Sequence, residues 1–338
     1  MRPFSYTRAS DVGEAVAALA ANDGARFIAG GTNLLDLMKY DVERPEHLID
    51  ITALPLDRIE NTADGGLSIG AMVRNTDIAY DEQVAARFPL LASAILAGAS
   101  PQLRNSATTG GNLRQRTRCS YFYDVSTPCN KREPGSGCPA KTGFARYHAI
   151  LGASERCIAT HPSDMCVGLA ALGATVRVEG PEGSRSIPFS DFHRLPGDTP
   201  QVDTTLAHGE MVVAVDLPGK GFSDHYSYLK IRDRLSYAFA LISVAAALDM
   251  DGDTIAEARL ALGGVAHKPW RNAEAEAAMR GKPAVETTFA EAADIVLAEA
   301  ETVPGNAFKP ELARRTMIRA LSQAAAGTPQ SQSDKRIQ

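Results

Sequence analysis

The chain has 338 residues, 44% of them hydrophobic and 22% charged, with a formal charge of -5. That length allows two or three domains with a full-sized core, and the acidic balance excludes a broad phosphate-binding nucleic-acid face. No run approaches the roughly 18 apolar residues of a membrane-spanning helix, and the opening "MRPFSYTRASDVGEAV" lacks the apolar core of a secretory signal, so any export is expected to rely on a folded partner.

In chain order, "FSYTRA" alternates like a strand, Asp11 with Glu14 forms a capping box, and Val12, Ala15, Val16 and Leu19 recur at helical spacing. A strand at "RFIAGG", a helix at "NLLDLMKY" and a strand at "HLIDI" complete an α/β unit over residues 1–55. A linker, "TALPLDRIENTADGG", leads to the strand "LSIGAMV" and the helices "NTDIAYDEQVAARF" and "PLLASAILAGA". After a cysteine-rich stretch, "MCVGLAALGATVRVEG" reads as helix into strand and "EMVVAVDLP" as a further strand, closing a second unit over 56–220. From 221, "SYLKIR", "FALISVAAALDM" and "ARLALGGVAH" predict three strands of a separate sheet, followed by Ala/Glu-rich helices to about 325. The polar end, 326–338, is expected to be disordered.

Two glycine pairs carry chemistry. Gly30-Gly31 ends a strand before Thr32-Asn33, and Gly110-Gly111 lies between Thr108-Thr109 and Asn112. Glycine lets main-chain N–H groups converge on a diphosphate, and both loops have that composition. A tight turn is the plainer reading of each pair taken singly. Neither is the GxGxxG of a dinucleotide fold, and neither has the lysine of a P-loop.

Four of the five cysteines, Cys119, Cys129, Cys138 and Cys157, fall within 39 residues, among Arg, Asn, Pro, Gly and Ser. Packing gives no reason to prefer sulfur there, whereas Cys166 in "MCVGLAAL" reads as a buried core thiol. A disulfide framework suits small secreted domains. Four thiolates suit tetrahedral zinc or a [4Fe–4S] cluster, and spacing leaves both open, as it leaves open no metal at all.

"FIAGGTNLLDLMK", "SPQLRNSATTGGNL", "IATHPSDM", "KIRDRLSYAFALISVAAAL" and "LALGGVAHKPWR" together resemble the FAD-binding subunits of molybdenum hydroxylases of the xanthine dehydrogenase family, in family order to about residue 325. The likeness is greatest to the flavin subunits of periplasmic aldehyde oxidases, which carry a cysteine-bearing insertion. The flavin subunits of 4-hydroxybenzoyl-CoA reductases, which have a similar insertion, are the alternative within the family. A zinc-stapled binding protein without catalysis is the alternative outside it. The resemblance implies an α+β architecture, the FAD-binding fold of the CO dehydrogenase flavoprotein type. Two α/β FAD-binding subdomains would precede a C-terminal three-stranded sheet with helices.

The resemblance also implies FAD contacts from Arg26, Phe27, Ile28, Ala29, Gly30, Gly31, Thr32, Asn33 and Leu34, and from Thr108, Thr109, Gly110, Gly111 and Asn112. Asp164 would meet the cofactor's hydroxyl-bearing chain, with a helix cap as its plainer role. Lys230 would lie by the flavin ring, with a solvated strand position as the plainer reading, and Val212 would pack on the cofactor. The four cysteines of the inserted segment, 115–160, match those that hold a [4Fe–4S] cluster. His161 reads as a loop residue rather than a ligand, and Trp270 as packing for the C-terminal domain. Implied partners are a molybdopterin-binding large subunit, a [2Fe–2S] small subunit and an external electron acceptor. Implied delivery is to the periplasm with a signal-bearing partner, and the cytoplasm is the alternative.

Overall fold

The computed structural model describes residues 1–332. The first unit is a three-stranded parallel sheet in the order β1 (Ser5–Arg8), β3 (His47–Asp50), β2 (Ala25–Ile28), with helices α1 (Val12–Ala20) and α2 (Leu34–Lys39) in the crossovers. Asp11 caps α1 by accepting from the Glu14 N–H at 2.8 Å, while the Glu14 carboxylate reaches back to Ser10 rather than to the cap residue. Ala15, Val16 and Leu19 turn inward, as their spacing predicts.

The second unit is an antiparallel five-stranded sheet in the order β4 (Ile59–Asn61), β5 (Leu67–Gly70), β8 (Met211–Leu217), β6 (Thr175–Gly180), β7 (Gly183–Pro188). The expected linker therefore contains an edge strand, β4. Its helices are α3 (Asn75–Tyr80), α4 (Glu82–Arg87), α5 (Pro89–Ala97), α6 (Pro101–Arg104), α7 (Thr109–Leu113), α8 (Ser120–Tyr123), α9 (Asp164–Leu172) and α10 (Phe189–Phe192). All nine residues of α9 are buried, because it is wedged between α5 on one side and the C-terminal sheet on the other. A helix apolar on every face belongs at such a centre.

The C-terminal unit is an antiparallel sheet in the order β12 (Trp270–Arg271), β11 (Thr254–Gly263), β10 (Ile242–Asp251), β9 (Tyr226–Ile231). It has four strands rather than the expected three. The extra one is a two-residue ladder formed by Trp270 and Arg271, too short to leave a periodic signal. Helices α11 (Ala273–Met279), α12 (Glu286–Leu297) and α13 (Lys309–Ala325) cover this sheet and enclose their own apolar core. Within the segment expected to be disordered, Gln332 donates to the Tyr228 carbonyl at 3.0 Å, and residues 333–338 lie outside the described residues. No described helix is long and apolar enough to cross a membrane.

Candidate functional site

Between β2 and α2 the chain crosses the end of the parallel sheet through Ala29 to Asn33. Gly31 sits at a φ of 70°, a left-handed conformation that glycine adopts without strain. Gly30 lies so close to the second unit that a Cβ would stand 1.8 Å from the Ser106 carbonyl oxygen. Ser106 Oγ closes the contact by donating to the Gly30 carbonyl at 2.9 Å. Among the described residues, no protein acceptor receives the N–H groups of Gly30, Gly31, Thr32 or Asn33. Asn33 Oδ1 accepts the Arg116 N–H at 2.9 Å, while its buried Nδ2 has no protein partner. Converging unpaired donors of this kind suit an anionic group.

The second glycine loop departs from expectation. Its amides are consumed by the protein: Thr109 N donates to Val73 O at 2.9 Å, Gly110 N to Ala71 O at 2.8 Å, Gly111 N to Thr108 Oγ1 at 3.3 Å and Asn112 N to Thr108 O at 2.8 Å. The loop is the start of α7 stitched to the strand end after β5, so it supplies a wall rather than free donors.

Two cavities flank these loops. One of about 630 Å³ is lined by Arg26, Phe27, Ala29 through Leu34, Thr108, Gly110, Gly111 and Val212. The other, of about 460 Å³, takes in Asn112, Asp164 and Lys230, and shares Thr32, Asn33 and Gly111 with the first. The two therefore meet across the first glycine turn. Ile28 and Thr109 line neither. Arg114, which sequence reasoning missed, lines the first cavity from an exposed position, without an ion pair among the described residues.

At the far end of the second cavity, Asp164 opens α9 but is not its cap, a role taken by Ser163. Its carboxylate accepts from Lys230 Nζ and from Tyr228 Oη, each at 2.8 Å. Lys230 is far from a solvated strand residue, its side chain being 3% exposed. A buried pair stripped of one partner leaves an uncompensated charge, so each residue requires the other.

The insertion gathers Cys119, Cys129, Cys138 and Cys157 around one narrow void, all as free thiols. The Cys157 thiol donates to Cys138, which holds Cys138 down to about 6 and pushes Cys157 up; burial raises Cys119 to about 11. Bonds made within the loop hold this shape. Asn130 Oδ1 accepts the Gly135 and Gly137 N–H groups at 3.0 and 2.9 Å, and Arg132 donates to the Tyr121 and Phe122 carbonyls at 2.9 and 2.8 Å. Lys131, buried, bonds the Pro200 carbonyl at 2.7 Å and the Asp203 carboxylate, which Arg116 also engages at 2.9 Å while reaching Glu43. This network docks the insertion on the rim of the first cavity. His148 Nε2 lies 3.1 Å from Cys119 Sγ.

Among the described residues, ligand atoms of His161, Cys166 and His193 lie within 4.8 Å of one another. His161 Nδ1 accepts the Ser163 N–H, so its neutral ring keeps the proton on Nε2 and has no free lone pair for a metal.

Residues 2–220 match the family described as the FAD binding domain in molybdopterin dehydrogenase, and 226–324 the CO dehydrogenase flavoprotein C-terminal domain. The chain belongs to this flavoprotein family. It is thus an FAD-binding oxidoreductase subunit of the molybdenum hydroxylases. It is 53% identical over 328 residues to the aldehyde oxidoreductase FAD-binding subunit of Escherichia coli (strain K12), covering 96% of this chain and 99% of that one. It is 32% identical to the glyceraldehyde dehydrogenase medium chain of Sulfolobus acidocaldarius, over 82% of each. The carbon monoxide dehydrogenase of Hydrogenophaga pseudoflava superposes with a TM-score of 0.76 at 30% identity, over 97% of this chain and 99% of that one. In this flavoprotein, the Asp164–Lys230 pair joins the two matched segments across the second cavity.

Proposed function

We propose that this flavoprotein is the FAD- and [4Fe–4S]-bearing electron-transfer subunit of a three-subunit molybdenum-dependent aldehyde oxidoreductase. The reading rests on one observation above others: four free thiols converge in an insertion docked against the cavity that carries the unpaired amides. Identity to an aldehyde oxidoreductase subunit over nearly the whole chain supports the substrate class. FAD, when bound, supplies exchange between one- and two-electron carriers.

Gly30, Gly31, Thr32 and Asn33 would present their amides to the diphosphate, with Asn33 Nδ2 and Arg114 as further donors in the same cavity. Thr108, Gly110 and Gly111 would wall it, and Val212 would give an apolar contact. Asp164 and Lys230 would face the cofactor in the second cavity as a mutually compensated ion pair. The four cysteines would hold the cluster. Electrons would arrive from a molybdopterin-binding large subunit and a [2Fe–2S] small subunit, and leave to an external acceptor. Export to the periplasm would follow a signal-bearing partner, which cell fractionation of the intact complex checks.

The test is purification of the complex with assay of flavin, iron, sulfide and zinc, then addition of aldehyde under anaerobic conditions. Bleaching of flavin absorbance by aldehyde supports the reading, and an iron-free, zinc-containing subunit overturns the cluster. Cys129→Ser should lose the broad absorption near 400 nm while FAD is at least partly kept; unchanged iron would refute the ligand assignment.

A further inference from the structure

The four cysteines do not form an isolated loop: one of them is touched by a side chain whose position is set from the C-terminal unit. His148 Nε2 lies 3.1 Å from Cys119 Sγ, and its Nδ1 is buried without a partner. The main chain of His148 is clamped. Its N–H donates to Ala145 O at 3.0 Å, and its carbonyl accepts from Lys309 Nζ at 2.7 Å and from Asn306 Nδ2 at 3.5 Å. Asn306 also bonds the Ala149 carbonyl at 3.0 Å, and Lys309 the Gly264 carbonyl. Both Lys309 and Asn306 are fully buried, and Lys309 has no carboxylate partner among the described residues. A buried ammonium is a costly anchor for one carbonyl unless the position of that carbonyl matters.

We propose that His148 is a positioning residue for the iron–sulfur site, its Nε2–H donating to the Cys119 thiolate, with Asn306 and Lys309 fixing the imidazole from the C-terminal unit. The proposal rests on the cluster reading. A metal-bound thiolate can only accept, so the imidazole must present its proton on Nε2, and Nδ1 is free to be the bare nitrogen. Hydrogen bonds to cluster sulfurs favour the more negative, reduced state and raise the reduction potential.

The test is redox titration of the full complex, followed by electron paramagnetic resonance, with iron counted per chain. His148→Leu shifts the cluster potential downward at unchanged iron content, His148→Gln restores part of it through its own amide donor, and Lys309→Met shifts it in the same direction by less. Full iron with an unchanged potential in His148→Leu overturns this proposal alone, while an iron-free wild-type complex overturns the cluster reading and this proposal with it. Should His148→Leu fail to retain iron, the wild-type complex labelled with ¹⁵N-histidine decides. A histidine nitrogen coupled to the reduced cluster supports the contact, and its absence overturns it.

Discussion

Gly30-Gly31 and Gly110-Gly111 have nearly the same neighbours, "GGTNL" in one case and "TTGGNL" in the other, yet they use their main chains in opposite ways. Among the described residues, the amides of 30–33 in the first turn meet no protein acceptor; in the second, the amides of 109–112 are all spent on Val73, Ala71 and Thr108. Composition tells where the backbone can approach a ligand, and the accounting of donors tells which loop still has something to offer it. The second loop holds the first one's floor in place: Thr109 Oγ1, fully buried, bonds Val73 O at 2.9 Å, and the nearby Ser106 bonds Gly30 O.

This contrast can be broken by experiment. The largest effect is expected from Gly30→Ala, whose methyl would strike the Ser106 carbonyl and force the loops apart. Flavin affinity should fall at least about 100-fold, or about 3 kcal/mol, measured by flavin retained on gel filtration. Full retention would show that the turn does not close on the cofactor.

Next is Asp203→Asn, which takes the counter-charge from buried Lys131 and from Arg116. Burial alone would raise the Asp203 carboxyl, yet those two cations hold it well below the usual carboxylate range. Its folded pKa is depressed, so its contribution is present above the unfolded value near 4 and is lost as pH falls toward the folded one. The variant should lose about 2 kcal/mol at pH 7, discounted for partial exposure, and most of the acid sensitivity in this window, read by urea unfolding.

Lys309 provides a pH test remote from both loops. Burial depresses its pKa to about 7. The unfolded chain then holds more protons than the folded one above that point, so stability rises with pH from about 7 toward the unfolded value near 10.4. Unfolding at pH 7 and 9.5 should differ by about 3 kcal/mol more in the wild type than in Lys309→Met. Equal slopes would show that folding does not depress the Lys309 pKa.

The smallest effect sharpens the contrast most. Thr109→Val removes only the hydroxyl that bonds Val73 O, and should cost about 1 kcal/mol of stability with flavin affinity unchanged. A large loss of flavin would return the second loop to a direct binding role.

Much of the fold could be read from periodicity, because the long apolar strands and helices bury one face or all faces. What escaped detection lies at edges. β4 has three residues in a polar segment, β7 runs as "GSRSIP" with five of six positions exposed, and β12 is two residues long. The glycine turns and the cysteines were legible as residue types. The network of Arg116, Lys131 and Asp203 was not: its members lie 72 and 87 positions apart and, taken singly, look like surface charges. His148 in "ARYHAI" carried no signal, since its meaning comes from Cys119, 29 residues earlier, and Lys309, 161 residues later.

That last separation bears on how the protein is made. Cys157, the last of the four thiols, leaves the ribosome long before Lys309 does, so the nascent chain can expose a full set of sulfurs while His148 is still unclamped. Completion of the sulfur pocket therefore waits for synthesis of the C-terminal unit. Truncation before α13 would produce a chain that has every thiol but lacks the Lys309 half of the clamp on His148.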